Sequence, residues 1–193
     1  MKTNGKKCNS KNNKQVMVTN LSALPGAGVR VPNAGIVILN SYIVMLLERL
    51  GLIKANAFKS KEAQLEAVHY LQYVVTGLSQ TEASQLVLNK VLCGLPPNAT
   101  INPGIEVTKD QKELMEGLIQ SVISYWTVIG DTSIEGFRGN WLVRDGILRE
   151  TEAHWELTVE KRAYDILLQH SPFSFSILKL PWIEKPLHVN WSY

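Results

Sequence analysis

The hydrophobic period of this chain changes near residue 140, and that change limits the folds open to it. Before it, apolar residues recur at steps of three and four. After it, they alternate with polar residues or sit in short runs between turn residues. The pattern predicts an α+β fold: a helical N-terminal part of about five helices (about 36–139), followed by a small antiparallel β region (about 141–191).

The first helix is expected over about 36–51. Leu39, Ile43, Leu46, Leu47 and Leu50 share a face there, and Gly51 supplies a C-cap. The second spans about 60–77, with Leu65, Val68, Leu71 and Val75 on one stripe and Gly77 at its end. Ser79-Gln80-Thr81-Glu82 reads as a capping box for a third, about 81–93, stopped by Gly94 and Pro96-Pro97. Thr108-Lys109-Asp110-Gln111 is another capping box, opening a fourth helix over about 109–129. Thr132-Ser133-Ile134-Glu135 starts a short fifth that ends near Gly139. Beyond it, Asp145-Gly146 lies between two apolar runs, a hairpin-turn signal. His154 to Glu160 alternates, so Trp155, Leu157 and Val159 take one face and Glu156, Thr158 and Glu160 the other. A short helix near 162–169 and extended segments around Pro181 and Pro186 complete this part.

Charge is unevenly placed. Lys2, Lys6, Lys7, Lys11 and Lys14 fall in the first fourteen residues, with no acid among them. The chain has 20 Lys and Arg against 17 Asp and Glu, so these five leave 15 basic and 17 acidic side chains, net −2, on the rest. Residues 1–30 are therefore expected to be a solvated, disordered basic leader, and 31–193 a single domain. The rest of the chain offers no matching basic patch, so no nucleic-acid partner is expected. The longest apolar stretch, 34–53, is broken by Asn40, Ser41, Glu48 and Arg49. A membrane span needs about 20 largely apolar residues, so this stretch reads as a core helix and no membrane partner is expected. Cys8 and Cys93 form no CxxC pair and fit a reducing cytoplasm.

No constellation for catalysis emerges. No catalytic, metal or cofactor-binding residue is assigned, and no cofactor is expected. Gly26-x-Gly28 fails as a phosphate loop because Val31 stands where the third glycine belongs. Glu66-Ala67-Val68-His69 matches the Glu-x-x-His of di-iron bundles, but such a site needs a second copy that the chain lacks. His69 reads instead as a hydrogen-bonded helical side chain. His154, His170 and His188 form no HxH or HExxH set, and Cys93, at the end of an apolar helix, reads as a small hydrophobe. Glu150, Glu152, Glu156 and Glu160 read as a solvated face. Aromatic residues are more telling. Phe173, Phe175, Trp182 and Trp191 crowd the C-terminus, more than a terminal strand hides alone. With Arg138 they are taken as the candidate interaction surface.

Six segments then form a pattern: Asn33 to Leu39 with Leu47 to Leu52, Ala67 to Gly77, Leu86 to Pro96, Thr132 to Arg138, Glu160 to Asp165, and Lys179 to Ile183. In order and spacing, over about 33–191, they resemble the C-terminal region of contractile injection system tape measure proteins. The resemblance implies an architectural role and no enzyme. A tape measure lies inside the tail tube of a phage-tail-like particle, sets tube length, and ends near spike and baseplate. A helical ruler advances about 1.5 Å per residue, so tens of nanometres need several hundred residues. These 193 are expected to supply the docking and assembly end instead. The implied partners are the spike, baseplate and inner-tube proteins, with a homo-oligomer matching tube or spike symmetry. The implied location is the cytoplasm during assembly, then the particle interior. The alternative is a small enzyme or effector cargo, which would need a polar pocket where His69, His154 or Cys93 meets carboxylates.

Overall fold

A computed structural model describes residues 28–192. The expected leader lies outside the described residues up to position 27. Its last residues, Val29 and Arg30, belong to strand β1 (Val29–Val31). A 3₁₀ segment, Ala34–Leu39, follows and runs into helix α1 (Asn40–Arg49). All six residues of the 3₁₀ segment are buried, because a segment apolar on every side is stable only where every side is covered. Strands β2 (Ile53–Lys54) and β3 (Ala57–Phe58) form a separate hairpin. It turns on Ala55 and Asn56, whose φ angles of 51° and 62° match a type I′ turn.

Helix α2 (Lys61–Thr76) has the ends its sequence predicts. The Ser60 hydroxyl accepts from the Ala63 N–H at 3.1 Å, and Gly77 closes the helix at φ 75°, a conformation that costs glycine little. The third helix differs from expectation. A 3₁₀ turn, Ala83–Leu86, precedes helix α3 (Val87–Leu92), and no side chain caps that turn. The capping box at 79–82 does not form because its backbone is engaged elsewhere. The Thr81 N–H donates to Pro103 O and the Ile105 N–H to Ser79 O, so this stretch pairs with the 102–105 loop.

Helix α4 (Lys109–Tyr125) does have its capping box: Thr108 Oγ1 accepts from the Gln111 N–H, and Gln111 Oε1 from the Thr108 N–H. It ends four residues before the expected 129, because Trp126 turns inward to 1% exposure. There its ring meets Trp141 at 4.5 Å, Phe173 at 6.1 Å and Phe137 at 6.5 Å. Helix α5 (Ile134–Phe137), capped by Ser133, continues into a π turn, Arg138–Leu142.

The β part corrects the sequence reading twice. First, Asp145-Gly146 is not the hairpin turn. Gly146 opens strand β4 (Gly146–Glu150), and the turn to β5 (Trp155–Val159) lies at 151–154. The glycine answers to space: a Cβ there would lie 2.8 Å from the Ala34 Cβ and 2.9 Å from Thr158 O. Second, the expected order of helices followed by a small antiparallel β region is contradicted. The fold is still α+β, but strands are interspersed through the chain and the main sheet is mixed. After a 3₁₀ stretch, Ala163–His170, come β6 (Ile177–Leu178) and β7 (Leu187–Asn190), and the sheet order is β1-β4-β5-β7-β6. β7 runs parallel to β5, while the other pairs are antiparallel. Parallel pairing needs a crossover, and the residues between β5 and β7 supply it. β1 escapes the sequence reading because three residues show no period and the partner strand begins 115 positions later.

Burial along β5 alternates as expected, with Leu157 and Val159 inside and Glu156 and Thr158 outside. One face of the sheet presents Val31, Leu148, Leu157, Leu178 and Leu187 to a single buried cluster shared with the helices.

Candidate interaction surface

The C-terminal part is organised around a buried charge. Arg144 and Asp165 are both fully buried and form a two-pronged ion pair, 2.8 Å from Nη1 to Oδ1 and 2.7 Å from Nη2 to Oδ2. Arg144 Nη2 also donates to Glu160 O at 2.6 Å. Asp165 Oδ2 accepts from the Arg162 N–H at 2.8 Å and from the Trp191 indole N–H at 3.0 Å. The guanidinium carbon lies 4.9 Å from the Trp191 ring centroid. Burial pushes the Asp165 carboxyl up, but the hydrogen bonds from Arg144, Arg162 and Trp191 outweigh it and hold the group below the usual carboxylate range. Trp191 thereby ties the end of β7 to the core.

Further upstream a neutral cluster does similar work. The Asn33 amide donates to Gln72 Oε1 (3.0 Å) and Asn89 Oδ1 (2.8 Å), and the Asn89 amide donates to Gln72 Oε1 (3.1 Å) and Val68 O (3.2 Å). All three side chains are buried. Hydrogen-bonded amides of this kind fix the register of the elements they join, because an unpaired one is costly.

The structure brings three of the five candidate residues together. Phe173, Phe175 and Trp191 line one groove of about 540 Å³. Phe173 and Trp191 are only 7% and 5% exposed, and Phe175 is half-buried against Trp191 at 5.6 Å. The other two lie elsewhere. Trp182, half-buried, packs on Phe58 at 4.8 Å and donates its indole N–H to Leu92 O at the end of α3. Arg138 is buried and donates to Val74 O (3.0 Å) and Tyr73 O (3.4 Å), carbonyls at the C-terminal end of α2 where a cation is favoured. These side chains spend most of their surface on the chain's own core.

What faces solvent beside them is a different set. Tyr125, Val128 and Ile166 are 66%, 46% and 53% exposed. The Tyr125 ring lies 6.1 Å from Phe173, and the turn Thr127–Ile129 packs on Ala163–His170. No charged residue occurs from Gly117 to Gly130, although the outer face of this helix end is exposed. Large exposed apolar groups without charges are what the centre of an interface is made of. The uncharged run is visible in the sequence. Which of its residues point outward is not.

The groups considered for chemistry lie apart. His69 is buried, its Nε2 2.8 Å from Asn102 O, and burial lowers its affinity for a proton. Cys93 is fully buried, which pushes its thiol far up and suppresses the reactive thiolate. His154 and His188 stack at 4.2 Å on the outer sheet face beside Glu156. Among the described residues, no three His, Cys, Asp or Glu side chains gather as a metal site would require. No helix among them is long and apolar enough to cross a membrane.

The family described as contractile injection system tape measure protein matches residues 2–191. The chain belongs to that family. No curated protein and no solved structure matches it. Five of the six segments that resemble the family are also joined to one another physically, and the fifth holds the buried ion pair. Asn33, Gln72 and Asn89 come from the first three and form the amide cluster. Arg138, from the fourth, binds the end of the second. Asp165 lies in the fifth, and Trp182, from the sixth, caps the third. Five of these segments thus meet at hydrogen-bonded joints of this fold. The Arg144–Asp165 pair is the part the sequence reading missed. Asp165 is nevertheless signalled by its place three residues after Arg162, at the start of a helical turn, where a carboxylate can accept backbone N–H groups.

Proposed function

We propose that this chain acts as a structural assembly component of a contractile injection particle, docking at the spike and baseplate end of the tail tube, and that it is not an enzyme. The observation that carries this reading is the family match over 2–191, nearly the whole chain. The shape supports a docking role rather than a spanning one. The longest helix among the described residues is α4, 17 residues or about 26 Å, and it is folded against α2 and α5 rather than free as a rod. Residues 31–193 act as one folding unit, and the partners are the spike, baseplate and inner-tube proteins, with a homo-oligomer matching their symmetry. Assembly takes place in the cytoplasm and leaves the protein inside the particle. The docking region is the uncharged surface of Tyr125, Val128 and Ile166 together with the adjoining groove of Phe173, Phe175 and Trp191.

Co-purification with the spike, baseplate and tube proteins of the same particle tests this. The wild-type chain is expected to retain at least one of them. Tyr125→Glu with Ile166→Glu, both at exposed positions and so compatible with folding, is expected to abolish retention. Equal retention by the double variant would remove this surface from the account, and no retention by the wild type would remove the docking role.

A further inference from the structure

Ser171 to Ser176 line the groove beside Phe173, and the chain runs from them directly into β6. Among the described residues, β6 pairs with β7 on one side and with no strand on the other. The ladder fixes which backbone groups that open side carries. The Val189 N–H donates to Ser176 O at 2.8 Å, so these two residues form a hydrogen-bonded pair. In an antiparallel ladder such pairs alternate with pairs that exchange no bond. Ile177 and His188 are therefore an unbonded pair, and the N–H and C=O of Ile177 point away from β7. Neither meets a partner among the described residues, nor do the backbone groups of Phe175 and Lys179, two positions to either side. The Ile177 side chain is 55% exposed, while Leu178 is buried.

Natural sheets often guard such an edge with charge. This edge has none: no Asp, Glu, Lys or Arg occurs from Ser171 to Leu178, and none lines the groove. An occupant that suits both features brings backbone N–H and C=O groups to the edge and an uncharged apolar side chain to the groove. An extended strand does both, because its backbone pairs sideways while alternate side chains leave on one face. A second copy of β6 does not. Phe173 and Phe175, the side chains it would bring, are already packed on their own core.

We propose that the docking partner is held by strand addition. An extended, uncharged, apolar segment of a spike, baseplate or tube protein pairs with Ile177 at the outer edge of β6 and seats a side chain against Phe175 and Trp191. This rests on the docking reading above and adds how the partner is gripped.

Amide hydrogen exchange on the full chain tests it, first alone and then with each purified spike, baseplate and tube protein in turn. Alone, the Ile177 amide is expected to exchange at about the rate of an unstructured peptide. With the protein that the chain retains, it is expected to slow about 100-fold or more, together with one segment of that protein free of Lys, Arg, Asp and Glu. Retention with Ile177 unchanged overturns strand addition and leaves the docking role standing. Retention of none of them overturns both. Protection of Ile177 in the chain alone overturns the proposal too: it places a second copy on the edge if it rises with concentration, and the chain itself if it does not. A charged protected segment in the partner also overturns it. Two variants give a second readout. Ile177→Pro removes an N–H that the β6–β7 ladder does not use, and is expected to weaken retention about tenfold or more. Ile177→Thr keeps the backbone and is expected to stay within about fivefold of wild type. Equal losses in the two would assign the contact to the side chain and overturn the proposal. If Ile177→Pro fails to fold, the exchange measurement decides alone.

Discussion

Replacing Asp165 with Asn removes one charge and keeps the side-chain shape. The consequence follows from counting donors. Arg144 Nη1 and Nη2, the Arg162 N–H and the Trp191 indole N–H all point at the two carboxylate oxygens. An amide has one oxygen, so at least one donor meets an N–H instead. More important, the Arg144 charge stays fully buried with no counter-charge. Neutralising one partner of a buried pair costs about 3–5 kcal/mol. That is a large share of the roughly 5–15 kcal/mol that holds a typical domain together. Urea unfolding followed by tryptophan fluorescence reads this as a lower midpoint at unchanged slope. Arg144→Met with Asp165→Leu is expected to recover part of the loss, because the desolvation cost of the two charges leaves with the pair while the Arg162 N–H and the Trp191 indole N–H lose their acceptor. The pH dependence has a definite sign. The folded-state value of Asp165 is lowered, so its contribution is present above the ordinary carboxylate value and is lost as pH falls through the folded one. Wild-type stability therefore drops in acid, below about pH 4, and Asp165→Asn flattens that drop. A loss below about 1 kcal/mol in Asp165→Asn, or a double variant no more stable than the single one, would refute the reasoning.

Three further outcomes are expected. Gly35→Ala should cost about 3 kcal/mol or more, because its Cβ would overlap the Trp141 carbonyl and Leu142 and force the 3₁₀ segment off the π turn; a midpoint near wild type contradicts that packing. Ala55→Asn should stabilise the fold by about 0.5–1 kcal/mol, since Ala55 holds φ 51° in a turn that asparagine prefers, and an unchanged or lower melting temperature counts against it. Cys93 should resist iodoacetamide in the native protein and react once urea unfolds it, as peptide mapping reports; native alkylation at the rate of a free thiol contradicts its burial.

Much of the helical architecture is legible from residues alone, because helix ends are written locally. Ser60 with Gly77, and Thr108 with Gln111, mark their helices through hydrogen bonds spanning three or four positions. Where the cap at 79–82 fails, the competitor is a loop more than twenty residues away in sequence. The sheet is poorly legible for the same reason. β1 has three residues, and the β5–β7 pair is parallel, so neither leaves a local turn signal. The Asp-Gly pair misleads because a glycine needed for space looks like one needed for a turn. The site is legible only in outline. Crowding of aromatics marks the region, yet Phe173 and Trp191 are consumed inside while Tyr125 and Ile166 are left outside. A buried Arg144–Asp165 pair cannot be read from charges that look like any surface charges until the fold brings them together.

The central claim concerns assembly, and electron microscopy of particles from cells lacking this chain tests it most directly. The account predicts that contractile particles no longer form, that the wild-type chain restores them, and that the Tyr125→Glu, Ile166→Glu chain, though folded, does not. Particles of normal number and length in its absence would contradict the account.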